Sequence, residues 1–433
     1  MSRSEQPFSD DPLGKAVVIS GSWEYSDERR NNFTLDGASA RSHRVREHEV
    51  KLDVRTRWAA DTSTFVQVTG LDETRSGEAD NKRVAQVLER GQMWIHQDHV
   101  AGTRWSLQAG RVKLLDQRAW WWEEEVDTLR ARHDSGTWRL DAGIARELLR
   151  KSSADRGVQP DARGVTRFFG QATWPWAPRH ALDVFWLVQH DRSPRPAVGA
   201  VFRDEDDTDP SDLRARWVGL RALGEWRVEN GARLAYWADA AWLSGREHVS
   251  AFDAQADGTF RAVGASERRV HGNAFDIGAT ASLALLLRPS LTVGYAHGSP
   301  RFRQTGLQEN KTRFASGKRW QRYGELVQPE LSNLSVASVG TGVRVLADSS
   351  IELMLHCLRQ VRASDHVPGS RLSAKPQGTS RHLGREVNLL VALREHSRIE
   401  FSFEASHFKP GTAFAPGERQ AARVFEFGVS FRF

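Results

Sequence analysis

Arg423 to Phe433 reads RVFEFGVSFRF. Phe425, Phe427, Val429, Phe431 and Phe433 fall on one face of an extended strand, and Val424, Glu426, Gly428, Ser430 and Arg432 on the other, because successive strand side chains point to opposite sides. One face is continuous apolar surface; the other is small or charged. A soluble sandwich would turn the apolar face inward. A transmembrane barrel would turn it to lipid and line its lumen with the polar face. A strand that ends on its own aromatic residue matches the closing strand of a bacterial outer-membrane barrel, provided the same pattern recurs through the chain.

It does recur. Val50, Leu52 and Val54 alternate with Lys51, Asp53 and Arg55 within a run from Arg44 to Trp58, and Leu182, Val184, Trp186 and Val188 share a face of Arg179–His190. Short turns, such as Ala60–Asp61, Asp98–His99, Asp134–Ser135 and Arg288–Pro289, alternate with long polar loops, the punctuation of strands. The first strand is read as Lys15 to Tyr25, with a polar loop through Asn31 and Asn32. A later one is read as Gly136 to Leu149, where Asp141–Lys151 also has a weak helical period. About 18 strands result, and an even count with short and long connections in alternation is what a bacterial barrel requires. Closure also removes sheet edges that would template aggregation. No blade repeat supports a propeller. The reading is therefore all-β: a single transmembrane antiparallel β-barrel over residues 1–433, with a flexible segment at 1–14 and a long loop at 298–331 as candidate pore gate.

Composition agrees. There are 16 Trp and 20 Phe against 4 Tyr, a load that interfacial girdles absorb. No run of roughly 18 apolar residues is present, which excludes a transmembrane helix. Cys357 is the single cysteine, so there is no intramolecular disulfide. The net charge of +6 is carried mainly by arginine, whose planar fork suits carboxylates and phosphates. Those arginines are spread singly along strands, without a basic helix, which argues against nucleic acid and for an acidic polymer or lipopolysaccharide. The N-terminus has no charged-then-apolar signal region, so a signal peptide is expected to be absent from this form.

Three stretches resemble the alginate export porin family: LQAGRVKLLDQRAWWWEEE (Leu107–Glu125), FRQTGLQENKTRFASGKRWQRYGELVQPELSNL (Phe302–Leu334) and FKPGTAF (Phe408–Phe414). The resemblance implies an 18-stranded outer-membrane barrel in a Gram-negative bacterium, carrying secreted polyuronate outward through an arginine-rich constriction gated by one extracellular and one periplasmic loop. It implies periplasmic polysaccharide secretion proteins as partners, and barrel assembly machinery reading Phe433. A monomer in membrane lipid is expected, with no catalysis, cofactor or metal.

Alginate carries one carboxylate per sugar, so its pore needs fixed positive charge at the narrowest ring. By parity the inward candidates are Arg55, Arg104, Arg130, Arg132, Arg139, Arg167, Arg344 and Arg394, with Asp53, Asp141, Glu352 and Glu426 as acidic counterparts. The family motifs add Arg111, Arg118, Arg303 and Arg313. Arg111 has outward parity, which a bulge or a strand end would explain. One departure stands out. Before FKPG the chain reads IEFSFEAS, placing Ser402 and Glu404, with Glu400 two residues earlier, where the resemblance implies two alternating lumenal arginines. This puts alginate specificity in question and leaves a neutral or modified saccharide open.

Other features have plainer readings. Glu123–Glu125 lie beside Trp120–Trp122, but adjacent strand carboxylates face opposite sides and cannot act as a hydrolase pair; an aromatic interface or a polymer-contacting loop is expected there. The fifteen histidines show no metal-ligand spacing. The acidic loop Asp204–Asp209 is expected to be solvated, with Ca²⁺ as the alternative.

Overall fold

A computed structural model describes residues 16–37, 42–77, 81–203, 208–228, 231–313 and 318–433. Residues 1–14 and residues 204–207 of the acidic loop lie outside these. In chain order the strands are β1 (Val17–Asn31), β2 (Ser42–Ala59), β3 (Thr62–Gly77), β4 (Asn81–Gln97), β5 (Trp105–Leu115), β6 (Glu123–Asp134), β7 (Arg139–Ala145), β8 (Thr166–Ala177), β9 (His180–His190), β10 (Val201–Phe202), β11 (Ser211–Arg227), β12 (Arg233–Ala254), β13 (Phe260–Ser282), β14 (Ser290–Gly298), β15 (Lys311–Thr312), β16 (Trp320–Gln321), β17 (Leu334–Arg344), β18 (Ser350–Gln360), β19 (His382–His396), β20 (Ile399–Pro410) and β21 (Ala422–Arg432).

The main sheet holds 19 strands; one of these, β10, is a two-residue addition to β13, which leaves 18 staves. Each stave pairs antiparallel with the next. The sheet closes when β21 pairs with β1, from Ser22↔Arg432 to Asn31↔Arg423. Phe433 is drawn into this seam: Gly21 N donates to its carbonyl at 2.9 Å, and its own N–H donates to Gly21 O at 3.0 Å.

Alternation places apolar side chains outward. Ile19, Leu52, Leu88, Leu129, Val184, Leu220, Ile277, Phe401 and Phe427 are all exposed on the outer wall. Trp58, Trp105, Trp138, Trp174, Trp176 and Trp226 are also exposed, all at the end with the short turns, the start of β1 and the end of β21. They form the aromatic girdle expected at a membrane interface. Short turns mark the periplasmic end of a bacterial barrel, so the long loops face outside.

Two sequence expectations change. β1 continues past Tyr25 to Asn31, because β2 pairs with it residue for residue from Val17↔Thr56 to Asn31↔Ser42; above the lipid band a polar strand is still a good ladder. β7 stops at Ala145, and Asp141–Lys151 forms no helix. Residues 151–153 instead pair with β4, through Arg90 N to Lys151 O and Ser153 N to Leu88 O, both 2.8 Å. They fill wall space that β5 vacates.

Candidate functional site: an occupied lumen

β5 leaves the wall at Gly110. Its φ is +123°, and a Cβ there would lie 2.1 Å from Met93 O, so glycine is required. β4 pairs with β5 only over Met93–Gln97 and Leu107–Arg111. Beyond that point the Lys113 amide is taken by the Gln92 side chain at 3.3 Å. The β5–β6 hairpin thus turns inward and becomes buried on both faces: Val112, Leu114 and Val126 on one, Arg111, Glu123 and Asp127 on the other. This resolves the parity of Arg111, which points away from its strand's lumenal face yet is enclosed. It pairs with Glu147 at 3.1 Å and Glu125 at 3.7 Å, and Arg90 grips Asp127 at 2.6 and 3.0 Å behind it.

The connection from β5 to β6 carries Trp120–Trp122, all buried inside the barrel rather than at an interface. Trp121 stacks on Phe185 with ring centroids 4.9 Å apart, and Arg221 covers Phe185 at 4.8 Å. Loop 299–333 lies against them, and its QTGLQEN box proves to be a brace. Gln304 and Asn310 exchange carboxamide hydrogen bonds at 2.8 and 2.9 Å. The Gln304 oxygen also accepts from Leu331 N at 2.8 Å, Thr305 Oγ1 donates to Trp121 O at 2.5 Å, and Glu123 N donates to Leu307 O at 2.5 Å. The turns need left-handed backbone at Gly306, Asn310 and Gly324, residue types that accept it.

An ionic network ties these loops to the wall. Arg221, Asp239 and Asp276 are successive Cα partners across β11, β12 and β13, and all are buried. The loops add arginines to this acid-rich row. Arg118 lies 2.9 Å from Asp239 and 3.2 Å from Asp276, over the Trp237 ring at 4.5 Å, and Arg322 lies 3.4 Å from Asp276. Arg221 pairs with Asp239 and, at 2.7 Å, with Asp116. Trp120 Nε1 donates to Tyr323 Oη at 2.9 Å, which donates to Asp276 at 3.2 Å. Burial alone would raise the Asp116 carboxyl, but Arg221 and the Trp121 and Arg118 amides hold it below the usual range. Burial and then Arg322 bring the Arg118 guanidinium down to about 10. Asp116, Arg221, Asp239, Asp276 and Arg322 were not among the sequence candidates. The inward parity of the wall residues Arg221, Asp239 and Asp276 was legible, whereas the register that aligns them, and the loop insertion that brings Asp116 and Arg322 to them, were not.

The remaining candidates divide by position. Arg130 and Arg132 share Asp141, with Nε–O distances of 2.6 and 3.1 Å. Arg167 donates to Gln189 at 2.9 Å, and Arg55 lies over Phe65 at 5.7 Å. Arg303 pairs with Glu247 and anchors the start of the loop. Arg104 and Arg139 are exposed at the short-turn rim, Arg104 donating to Ser135 O at 2.8 Å; both keep inward parity but sit outside any constriction. Arg313, from the loop, meets Arg344 and Arg394, from β17 and β19, around a cavity of about 610 Å³ near the short-turn mouth. Arg394 pairs with Glu400 at 3.2 Å.

Glu404 belongs to an acidic patch beneath the loop. It accepts from Ser406 at 2.7 Å, and neighbouring Glu386 accepts from Leu326 N and Val327 N at 2.8 and 3.1 Å. Glu325 is buried there too. Arg371, from the connection between β18 and β19, pairs with Glu28 at 2.5 and 2.7 Å.

A closed 18-stave barrel with a lipid-facing apolar wall and charged loops folded into its lumen is a porin-type channel of the bacterial outer membrane. The solved structure of OccAB1 from Acinetobacter baumannii has the same fold, at 12% identity and a TM-score of 0.58, over 100% of this chain and 99% of that one. The chain belongs to the alginate export family, whose model matches residues 17–426. It is 26% identical to the alginate production protein AlgE of Pseudomonas syringae pv. tomato over 342 residues, covering 72% of this chain and 68% of that protein. It is also 26% identical to AlgE of Pseudomonas aeruginosa over 335 residues, covering 72% and 67%.

Proposed function

We propose that this barrel is a passive conduit exporting an acidic exopolysaccharide of the alginate class, which enters at the short-turn mouth past Arg313, Arg344 and Arg394. The observation that carries the reading is the convergence of these three arginines, from a lumenal loop and two wall strands, on one cavity. Fixed positive charge at a narrow level selects for a polymer with one carboxylate per sugar. Weak sites in series let it advance, where one tight site would hold it. The paired arginines on the lumenal face of β6, Arg130 and Arg132, are held extended by Asp141 and moderate the field. Loop 299–333 is the gate: it occupies the lumen and must shift for polymer to pass. Periplasmic secretion proteins would deliver the chain to this mouth, and the barrel would act as a monomer.

The test is single-channel conductance in planar bilayers with polymannuronate, a neutral polysaccharide and small salts compared. Anion-selective current is expected, blocked by polymannuronate. Arg313→Gln with Arg394→Gln should weaken the block by roughly tenfold, two charge-assisted contacts being lost. Deleting residues 304–318 should raise the conductance. The acidic patch around Glu404 favours a second reading, export of a neutral or modified saccharide. Cation selectivity with no polymannuronate block would select it.

A further inference from the structure

The outer wall carries a charge arrangement that transport through the lumen does not use. Arg214, Arg246 and Arg269 are successive Cα partners across β11, β12 and β13, and all three are exposed. They share the outward face with Val218, Leu220, Trp242 and Ile277. Arg216, also exposed and outward, lies one outward position closer to this apolar band. Like charges set directly opposite one another across a sheet repel, and this row is poorly neutralised. Arg246 has Glu267 at 3.4 Å, and Arg214 donates to the Asp191 carbonyl at 3.1 Å. Neither Arg216 nor Arg269 has an ion pair or side-chain hydrogen bond among the described residues. The nearby Asp212 carboxylate is taken by Arg195 at 2.7 Å. On the inner face of the same three strands, by contrast, Arg221, Asp239 and Asp276 are neutralised together with Arg118 and Arg322 from the loops.

The position narrows what can supply the missing anion. The row lies immediately above the apolar band on the long-loop side, the height of outer-leaflet headgroups, and it lines a depression of about 750 Å³. A ligand there can place phosphates on guanidinium forks while its hydrocarbon lies along Val218 and Trp242. We propose that Arg214, Arg216, Arg246 and Arg269 bind the phosphates of the outer-leaflet phosphoglycolipid, lipopolysaccharide, with its acyl chains against the apolar wall below.

The experiment uses full-length protein in glycolipid-free detergent, titrated with intact lipopolysaccharide, dephosphorylated lipopolysaccharide and inorganic pyrophosphate, with bound ligand read by native mass spectrometry. Combined Arg214→Gln, Arg246→Gln and Arg269→Gln should weaken binding of intact lipopolysaccharide by about tenfold or more. The dephosphorylated form should not distinguish wild type from variant, and Arg104→Gln at the opposite rim should change nothing. Without glycolipid the triple variant should resist urea at least as well as wild type, since the repulsion is gone. Single-channel conductance should be unchanged, which separates this site from the transport reading. Equal binding of intact lipopolysaccharide to wild type and triple variant overturns the proposal. Pyrophosphate displacing lipopolysaccharide at equal concentration overturns the lipid assignment and leaves a free-anion site. If the triple variant does not fold, Arg269→Gln alone should cost about threefold, and no loss there has the same meaning.

Discussion

Arg221 shows how much one side chain does inside this barrel. Its guanidinium is fully enclosed, pairs with Asp116 from the inserted loop and Asp239 from the wall, and lies on the Phe185 ring. Arg221→Met would remove the guanidinium that both buried carboxylates share, leaving Asp116 only backbone amides and Asp239 only Arg118, and breaking a buried pair from one side costs about 3–5 kcal/mol. The urea midpoint of the folded barrel in detergent should fall accordingly. Adding Asp239→Asn should recover part of the loss, because residues in one network do not act additively. A loss under about 1 kcal/mol would mean that water reaches the network. Arginine as a lumenal residue type was legible from alternation. Its partners were not, since pairing depends on which residues of three strands fall in one row.

Loop 299–333 is the gate in the proposed function, and its docking should depend on pH. Glu325 is buried next to Glu386 and Glu404, its carboxylate accepts from Gln321 N at 2.7 Å, and its carbonyl accepts from Arg371 at 3.2 Å. Burial first, then Glu404 and Glu386, push its carboxyl well above the usual range. A carboxyl raised in the docked state binds its proton more tightly there than when released. Docking is therefore favoured fully at low pH and loses this contribution as pH climbs from the ordinary carboxylate range through the raised value. Open probability in bilayers should rise with pH in the wild type and respond less in Glu325→Gln. Superimposable pH profiles for the two proteins would refute a role for Glu325. The QTGLQEN box marked this loop in the sequence, but that its carboxamides brace the Trp120–Trp122 segment is visible only once both loops share the lumen.

For the molecule as a whole, closure is the decisive step, and Gly21 sits at its seam. A Cβ there would lie 2.6 Å from both Lys51 O and the Phe433 ring. Gly21→Val should destabilise the closed barrel by about 1–3 kcal/mol, the usual cost of overpacking, seen as a lower urea midpoint and a smaller heat-resistant folded fraction on gels. An unchanged midpoint would mean that the terminal strand tolerates displacement of Phe433. Alternation in RVFEFGVSFRF and its repeats determined the architecture, because a two-residue period sorts side chains to lipid or lumen without reference to any distant residue. What occupies the lumen was decided by tertiary structure alone. Gly110 turns a hairpin inward, so that parity no longer reports which side a residue faces, and the register of neighbouring strands sets the inner charges in one row while leaving the outer row of arginines poorly neutralised. Period is a local property of the chain; register and insertion arise from contacts between residues far apart in sequence.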